Sequence, residues 1–123
     1  MSQNGSTTTV LASAERTATV NSADLGNVTG RGVHVAIVVT AATATPSVVF
    51  TIQGKDEVND AYYDILSSAA ITGTGTSYLS VYPGITAAAN VSASDILPRT
   101  WRVRAVHADT DAITYSVAAN LVI

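Results

Sequence analysis

The sequence contains no cysteine, which excludes disulfide bonds and metal sites built from thiolates. Charged residues make up only 12 % of the chain, about half of the roughly 25 % that is usual for soluble domains. Six Lys and Arg residues and a net charge of −3 do not supply the basic surface that phosphate binding requires, so we expect no nucleic-acid partner. With so few charges, a small protein has little electrostatic repulsion to keep its molecules apart in solution. The low charge therefore favours a protein whose surface is largely covered by other subunits.

Long hydrophobic runs are also absent. No apolar run approaches the roughly 20 residues of a membrane span, so we expect no membrane partner. Residues 1–9 (MSQNGSTTT) are polar and lack the apolar core of a signal peptide. We therefore expect a protein that is made in a cytoplasm, and these residues predict a flexible N-terminal arm. An arm that becomes ordered against a neighbouring subunit is the alternative hypothesis.

Motifs for catalysis are missing as well. The sequence has no G-x-S-x-G, no H-E-x-x-H and no glycine-rich phosphate loop. The two histidines, His34 and His107, fall on separate predicted strands. We therefore predict no catalytic residue, no cofactor and no metal site, and no enzymatic activity. The acidic turn 56–64 lacks the glycine and the closing glutamate of an EF-hand loop, which favours a solvated hairpin end and leaves Ca²⁺ binding open.

Two apolar runs, Val33–Val39 and Val48–Ile52, dominate the stretch Gly32–Asp56. β-Branched and aromatic residues prevail in both, which is typical of buried strands. Both runs are partly apolar on their second face, which indicates strands that are central in a sheet or covered by a partner. The connector Ala41–Ser47 separates them, and we predict that they pair as an antiparallel hairpin.

The remaining chain predicts further short strands with turns every ten residues or so. Arg99–Val122 is interpreted as a second hairpin, and Asn21–Arg31 and Ile85–Leu97 as loops. In the strand Ala61–Leu66, simple alternation places Tyr62, Asp64 and Leu66 on one face. The 123 residues suit one domain. We therefore predict an all-β, single-domain antiparallel β-sandwich of about seven or eight strands over residues 10–123, after the arm 1–9.

Alternation within the predicted strands identifies side chains that face the core. Trp101, the single tryptophan, is interpreted as a core anchor rather than as a sugar-stacking residue, because aromatic side chains carry much of the buried area in small cores. The full set of predicted core anchors is Val35, Ile37, Phe50, Ile52, Trp101, Val103 and Tyr115.

Three arginines hold half of the positive charge of the chain, and Arg102 and Arg104 share one strand face. Two interpretations stay open: the arginines pair with local acidic residues across the sheet, or they form a basic stripe that meets an acidic partner surface. Together with threonines of the arm they make up the candidate partner interface, which comprises Arg99, Arg102, Arg104, Thr7, Thr8 and Thr9.

Three segments together resemble a group of small structural proteins encoded by tailed bacteriophages, often near the head genes. They are TPSVVFTIQGKD (45–56), YLSVYPG (78–84) and LPRTWRVRAVHADTDAITYSV (97–117). The resemblance covers most of the chain after Arg31. It implies a virion protein, with a capsid decoration (cement) protein as the first choice.

Such a cement protein binds the outside of the head shell and stabilises it, with the major capsid protein as partner and self-association as a dimer or trimer. The expected location is the capsid surface of the virion. A tail, baseplate or head-fibre component is the alternative. A carbohydrate-binding module for host attachment is a third hypothesis, with Tyr62, Tyr63, Tyr78 and Tyr82 as its candidate residues.

Overall fold

The computed structural model describes residues 7–28 and 30–122, and this part of the chain contains strands and no helix. It therefore holds no helix of the length and apolar character that crossing a membrane requires. Ten strands follow one another in the order β1 Thr7–Arg16, β2 Val20–Asn21, β3 Leu25–Gly26, β4 Gly32–Ala42, β5 Val48–Asp56, β6 Ala61–Ser67, β7 Gly75–Val81, β8 Ser92–Ala93, β9 Thr100–His107 and β10 Ile113–Val122.

The strands form two sheets, which confirms the predicted β-sandwich. Sheet I has the order β1-β10-β4-β7-β8, and sheet II has the order β2-β9-β5-β6. The short β3 also pairs with β9, next to β2, so that β2 and β3 form one interrupted edge of sheet II. All pairs are antiparallel except β7 with β8.

The inner faces of the two sheets enclose one hydrophobic core. Phe50 of sheet II and Tyr115 of sheet I meet edge to face across it, with ring centroids 4.9 Å apart. Full burial of a side chain of this size stabilises the fold by roughly 1.5–3 kcal/mol. The seven residues predicted as core anchors are at most 1 % exposed: Val35, Ile37, Phe50, Ile52, Trp101, Val103 and Tyr115.

Both predicted hairpins are wrong. β4 pairs with β10 and β7 in sheet I, whereas β5 pairs with β6 and β9 in sheet II. β9 and β10 are likewise divided between the two sheets. Alternation shows which face of a strand is buried. It does not show whether the next strand in the chain pairs with it in the same sheet or belongs to the other sheet. Each of β4 and β5 is nevertheless internal in its own sheet, as their two partly apolar faces predicted.

The N-terminal boundary also differs from the prediction. Thr7, Thr8 and Thr9, assigned to the arm, are the first residues of β1 and pair with Asn120, Ala119 and Ala118. Backbone hydrogen bonds to β10 hold these small polar residues in the sheet without any apolar anchor of their own. The rest of the predicted arm, Met1–Ser6, lies outside the described residues.

Two loop assignments need smaller corrections. The predicted loop Asn21–Arg31 contains the end of β2 and all of β3, and Ile85–Leu97 is irregular except for β8. In β6, a register shift between Ile52 and Gln53 of β5 leaves Ile65 without a partner. The predicted common face of Tyr62, Asp64 and Leu66 is therefore wrong, because this bulge turns Leu66 into the core while Tyr62 and Asp64 stay outside.

Candidate interaction surfaces

The outer face of sheet I carries a charge only at one end, where Glu15 of β1 pairs with Thr114; the rest of this face is uncharged in the described part of the chain. We call this remaining part the uncharged face, and it consists of small or polar side chains that alternate with the buried ones on four adjacent strands. Its members are Thr7, Thr9, His34, Ala36, Val38, Thr76, Tyr78, Ser80, Ser116, Ala118 and Asn120. None of these is buried, and Tyr78 is 55 % exposed. A flat surface of this kind loses little hydration free energy when a partner covers it, because no charge must be desolvated.

His34 is held within the uncharged face by two neighbours on β7. Its Nδ1 atom lies 2.9 Å from the hydroxyl oxygen of Ser80. Its ring stacks on that of Tyr78, with centroids 5.2 Å apart and planes 18° apart. The other ring nitrogen, Nε2, has no hydrogen-bond partner among the described residues. This arrangement lays the histidine flat against the sheet and does not place it in a cleft.

The outer face of sheet II, by contrast, is charged. The guanidinium of Arg102 lies 3.5 Å from the ring centroid of Tyr62, and its Nε donates a 2.8 Å hydrogen bond to Oε1 of Gln53. The amide of Gln53 in turn donates to Asp64 at 2.9 Å. These side chains, together with Lys55 and Arg104, define the charged face. The stacked, hydrogen-bonded guanidinium of Arg102 is fixed in position and therefore presents a preorganised surface.

One ionic group joins the charged face to the edge of sheet II. Asp24, in the loop between β2 and β3, accepts a 2.6 Å hydrogen bond from the hydroxyl of Tyr62 and lies 3.2 Å from Nζ of Lys55. Lys55 also pairs with Asp60 at 3.1 Å. The hydrogen bond from Tyr62, with a further one from Lys55, lowers the pKa of Asp24. The bonds from Lys55 to Asp60 and Asp24 raise the pKa of the lysine.

The residues of the candidate partner interface lie on opposite sides of the molecule. Thr7 and Thr9 belong to the uncharged face, whereas Arg102 and Arg104 lie on the charged face. Arg99 precedes β9 and is exposed. In the described part of the chain, Lys55 forms ion pairs with Asp24 and Asp60, and none of these three arginines forms one. The six residues therefore do not form one continuous surface.

A polar cluster closes one end of the sandwich. Nε2 of His107 lies 3.0 Å from the hydroxyl of Tyr115, which joins β9 of sheet II to β10 of sheet I. The guanidinium of Arg16 lies 4.6 Å from the ring centroid of Tyr115. Burial raises the pKa of Tyr115 to about 12 and lowers the pKa of His107. The two histidines thus lie on different sheets and do not form a joint site.

The carboxylate of Asp56 is hydrogen-bonded within the acidic turn that follows β5. Asp56 accepts hydrogen bonds from the backbone of Val58 and Asn59 and from the side-chain amide of Asn59 at 2.8 Å, which lower its pKa. Asp60 is paired with Lys55. The described residues contain no group of three or more His, Asp or Glu side chains in a position to hold a metal ion.

A cleft of about 450 Å³ opens between the sheets at the side where β6 and β7 lie. One wall is formed by Ser77, Tyr78 and Leu79 of β7 and the other by residues 68–71, which follow β6; residues 89–91 close one end. No lining residue is charged. Sequence reasoning missed this cleft because the space between its walls depends on the division of β6 and β7 between the two sheets, which local pattern does not reveal.

Comparisons with known proteins concern the fold alone. No protein-family model matches the sequence, and neither does any curated protein. The structure is similar to a chain in the structure of infectious bursal disease virus Gx strain, with a TM-score of 0.49 and 10 % sequence identity. The match covers 94 % of this chain and 30 % of that chain, so this protein spans about a third of the length of its structural neighbour.

Proposed function

We propose that this protein is a structural component of a tailed bacteriophage virion, namely a decoration (cement) protein that binds the outside of the head shell. The resemblance of the sequence to proteins encoded near phage head genes suggests that the protein belongs to a phage virion. The observation that carries the proposal is the division of the surface into an uncharged face on sheet I and a charged face on sheet II. Such an asymmetric molecule has one face suited to a protein partner and one suited to solvent.

The uncharged face is the side that packs against the major capsid protein in this proposal. Its small side chains, such as Ala36 and Ala118, let a partner approach the sheet closely, and Tyr78 supplies one larger contact. Each contact is weak, but repetition over a symmetric shell stabilises the whole by avidity. The charged face then keeps the decorated particle soluble.

A structural role in the tail, the baseplate or a head fibre is the second candidate, because a β-sandwich serves equally well there. Carbohydrate binding is less well supported by the geometry. The ring of Tyr62 is covered by Arg102, and that of Tyr78 is stacked on His34, so that neither ring has both faces available to a sugar.

Copy number separates the first two candidates. Gel densitometry of purified particles should give a simple ratio to the major capsid protein, such as one copy or one trimer per local symmetry axis. A handful of copies per particle would instead assign the protein to the tail or to a unique vertex. Shells without the protein should also release DNA at a lower temperature, and equal heat resistance would contradict a cement role.

A matched pair of variants tests which face binds the shell. Ala118→Asp introduces a charge into the uncharged face, and Val106→Asp introduces the same charge into the outer face of β9. Both positions are exposed, so both variants should fold. We expect Ala118→Asp to lose binding to undecorated shells at least tenfold, since one desolvated charge costs more than about 1.4 kcal/mol, while Val106→Asp binds normally. The opposite result would assign binding to the charged face.

A further inference from the structure

The guanidinium of Arg102 is held in place from two sides. Its Cζ atom lies 3.5 Å from the ring centroid of Tyr62, and its Nε donates to Oε1 of Gln53 at 2.8 Å. Gln53 is only 6 % exposed although it lies on the outer side of β5, and its amide nitrogen donates to Asp64 at 2.9 Å. Tyr62 is fixed in turn by the hydrogen bond from its hydroxyl to Asp24. A ligand that binds this guanidinium therefore immobilises little that is not already fixed.

The terminal nitrogens of this guanidinium are not used by the chain. Among the described residues, neither Nη1 nor Nη2 of Arg102 has a hydrogen-bond partner. Two carboxylates of the same region are engaged by other groups: Asp64 accepts from Gln53, and Asp24 is paired with Lys55. Arg102 therefore keeps a planar fork of donors available, which matches the two oxygens of a carboxylate.

A second positive charge lies beside this site. Arg104 follows Arg102 on the same face of β9 at a distance of about 6.8 Å along the strand, because each residue of a strand advances about 3.4 Å. Arg104 is exposed, and its neighbours on the adjoining strands, Asn21 and Thr51, are uncharged. Its guanidinium has no ion pair or hydrogen bond within the described part of the chain. The two arginines thus present two positive charges at the spacing of alternate strand residues.

We propose that Arg102 and Arg104 bind an extended acidic segment of a partner protein in which two acidic residues are separated by one other residue. In such a segment both carboxylates lie on one face, about 6.8 Å apart, so that one meets each guanidinium. A phosphate group fits less well, because Asp64 lies in the same row of the sheet as Arg102 and repels a doubly charged anion more strongly than a carboxylate. The site lies on sheet II, so this inference goes beyond the proposed binding of sheet I to a shell and does not depend on it.

Nuclear magnetic resonance of the isolated full-length protein tests this inference one arginine at a time. The Nε–Hε signals of the arginines are assigned with single variants in which lysine replaces one arginine. They are then followed while the capped peptide acetyl-Gly-Glu-Ala-Glu-Gly-amide is added. A matched peptide carries glutamine in place of both glutamates, and inorganic phosphate is titrated separately. Arg99 is the internal control within the protein, because it is an exposed arginine that precedes β9 and has no ring or amide to hold it among the described residues.

We expect the glutamate peptide to bind at Arg102 with a Kd at least about tenfold lower than at Arg99, because the guanidinium of Arg102 is already oriented. The glutamine peptide should give no saturable shift. Tyr62→Leu keeps every charge but removes the ring that holds Arg102, so in this variant the Kd at Arg102 should rise to that at Arg99.

Equal Kd values at Arg102 and Arg99 in the wild-type protein would overturn the proposal. So would phosphate that binds at Arg102 as tightly as the glutamate peptide does, since the site would then select negative charge in general and not an acidic segment. The measurement requires no capsid shell, so its failure is distinguishable from failure of the proposed virion role.

Discussion

Arg16 is the side chain whose loss we expect to reveal most about how this sandwich is held together. The pairing of β1 with β10 shifts register between Leu11 and Ala14, where one extra residue of β1 bulges out of the ladder. The guanidinium of Arg16 donates to the carbonyls of Ala12 at 2.6 Å, Ala14 at 3.2 Å and Tyr115 at 2.9 Å. One cationic group thus satisfies three carbonyls where the ladder is irregular.

The expected effect of Arg16→Ala follows from these contacts. The bond to Tyr115 is partly buried, and a hydrogen bond to a charged group contributes about 1.5–3 kcal/mol. The two other bonds are exposed and contribute little. The cation over the Tyr115 ring adds about 0.5–1 kcal/mol. We therefore expect a loss of about 2–4 kcal/mol in the free energy of unfolding, which corresponds to a Tm lowered by roughly 8–16 °C in a domain of this size.

Urea or thermal denaturation followed by circular dichroism measures this loss. Arg104→Ala is the control, because Arg104 is exposed on the charged face and its removal should change stability by less than about 0.5 kcal/mol. Arg16→Lys separates charge from geometry: an ammonium lacks the planar fork, so this variant should lose most of the same free energy. If Arg16→Ala were as stable as wild type, the guanidinium would not be supporting the bulge, and the reasoning would be refuted.

Two further predictions concern a glycine and a histidine. A Cβ atom on Gly32 would clash with the carbonyl oxygen of Val81, so Gly32→Ala should destabilise the fold by more than about 2 kcal/mol. Gly73→Ala, with open space at its Cβ, should be nearly neutral in the same urea titration. Burial lowers the pKa of His107 below its ordinary 6.5, so the unfolded chain binds the proton more readily and stability should fall as the pH drops from about 7 through the lowered pKa. His107→Gln also loses the contact with Tyr115, but its stability should depend less on pH across this window than that of wild type; parallel pH profiles would contradict the assignment.

Much of the architecture was predictable from local pattern. Alternation in Val33–Val39 and in Trp101–Ala105 placed the right side chains in the core, because a strand exposes every second residue to the same face. The apolar character of both faces of β4 indicated a strand with neighbours on each side, as found. The low charge of the chain was visible in the sequence, but the uneven distribution of the charges over the two sheets appeared only in the structure.

The candidate interface was harder to predict. Arg102 and Arg104 were correctly placed on one strand face, but Thr7 and Thr9 belong to the other sheet. The partners of Arg102 were missed, because Tyr62 comes beside it only through β5, which pairs with both β6 and β9. Strand order brings these side chains together, and no spacing in the sequence encodes it.

The sequence by itself determined that this protein is all-β, that it has one core, and which residues build that core. These properties follow from the burial of every second residue in a strand and from the residues that form turns. Both signals are local, because each involves only a few neighbouring positions in the chain. Only the tertiary structure decided that β4 and β5 belong to different sheets, that a bulge turns Leu66 inward, and that β8 pairs with only the last two residues of β7. Each of these depends on which distant strands pair, and the free energy of burying an apolar face is nearly the same for several pairings.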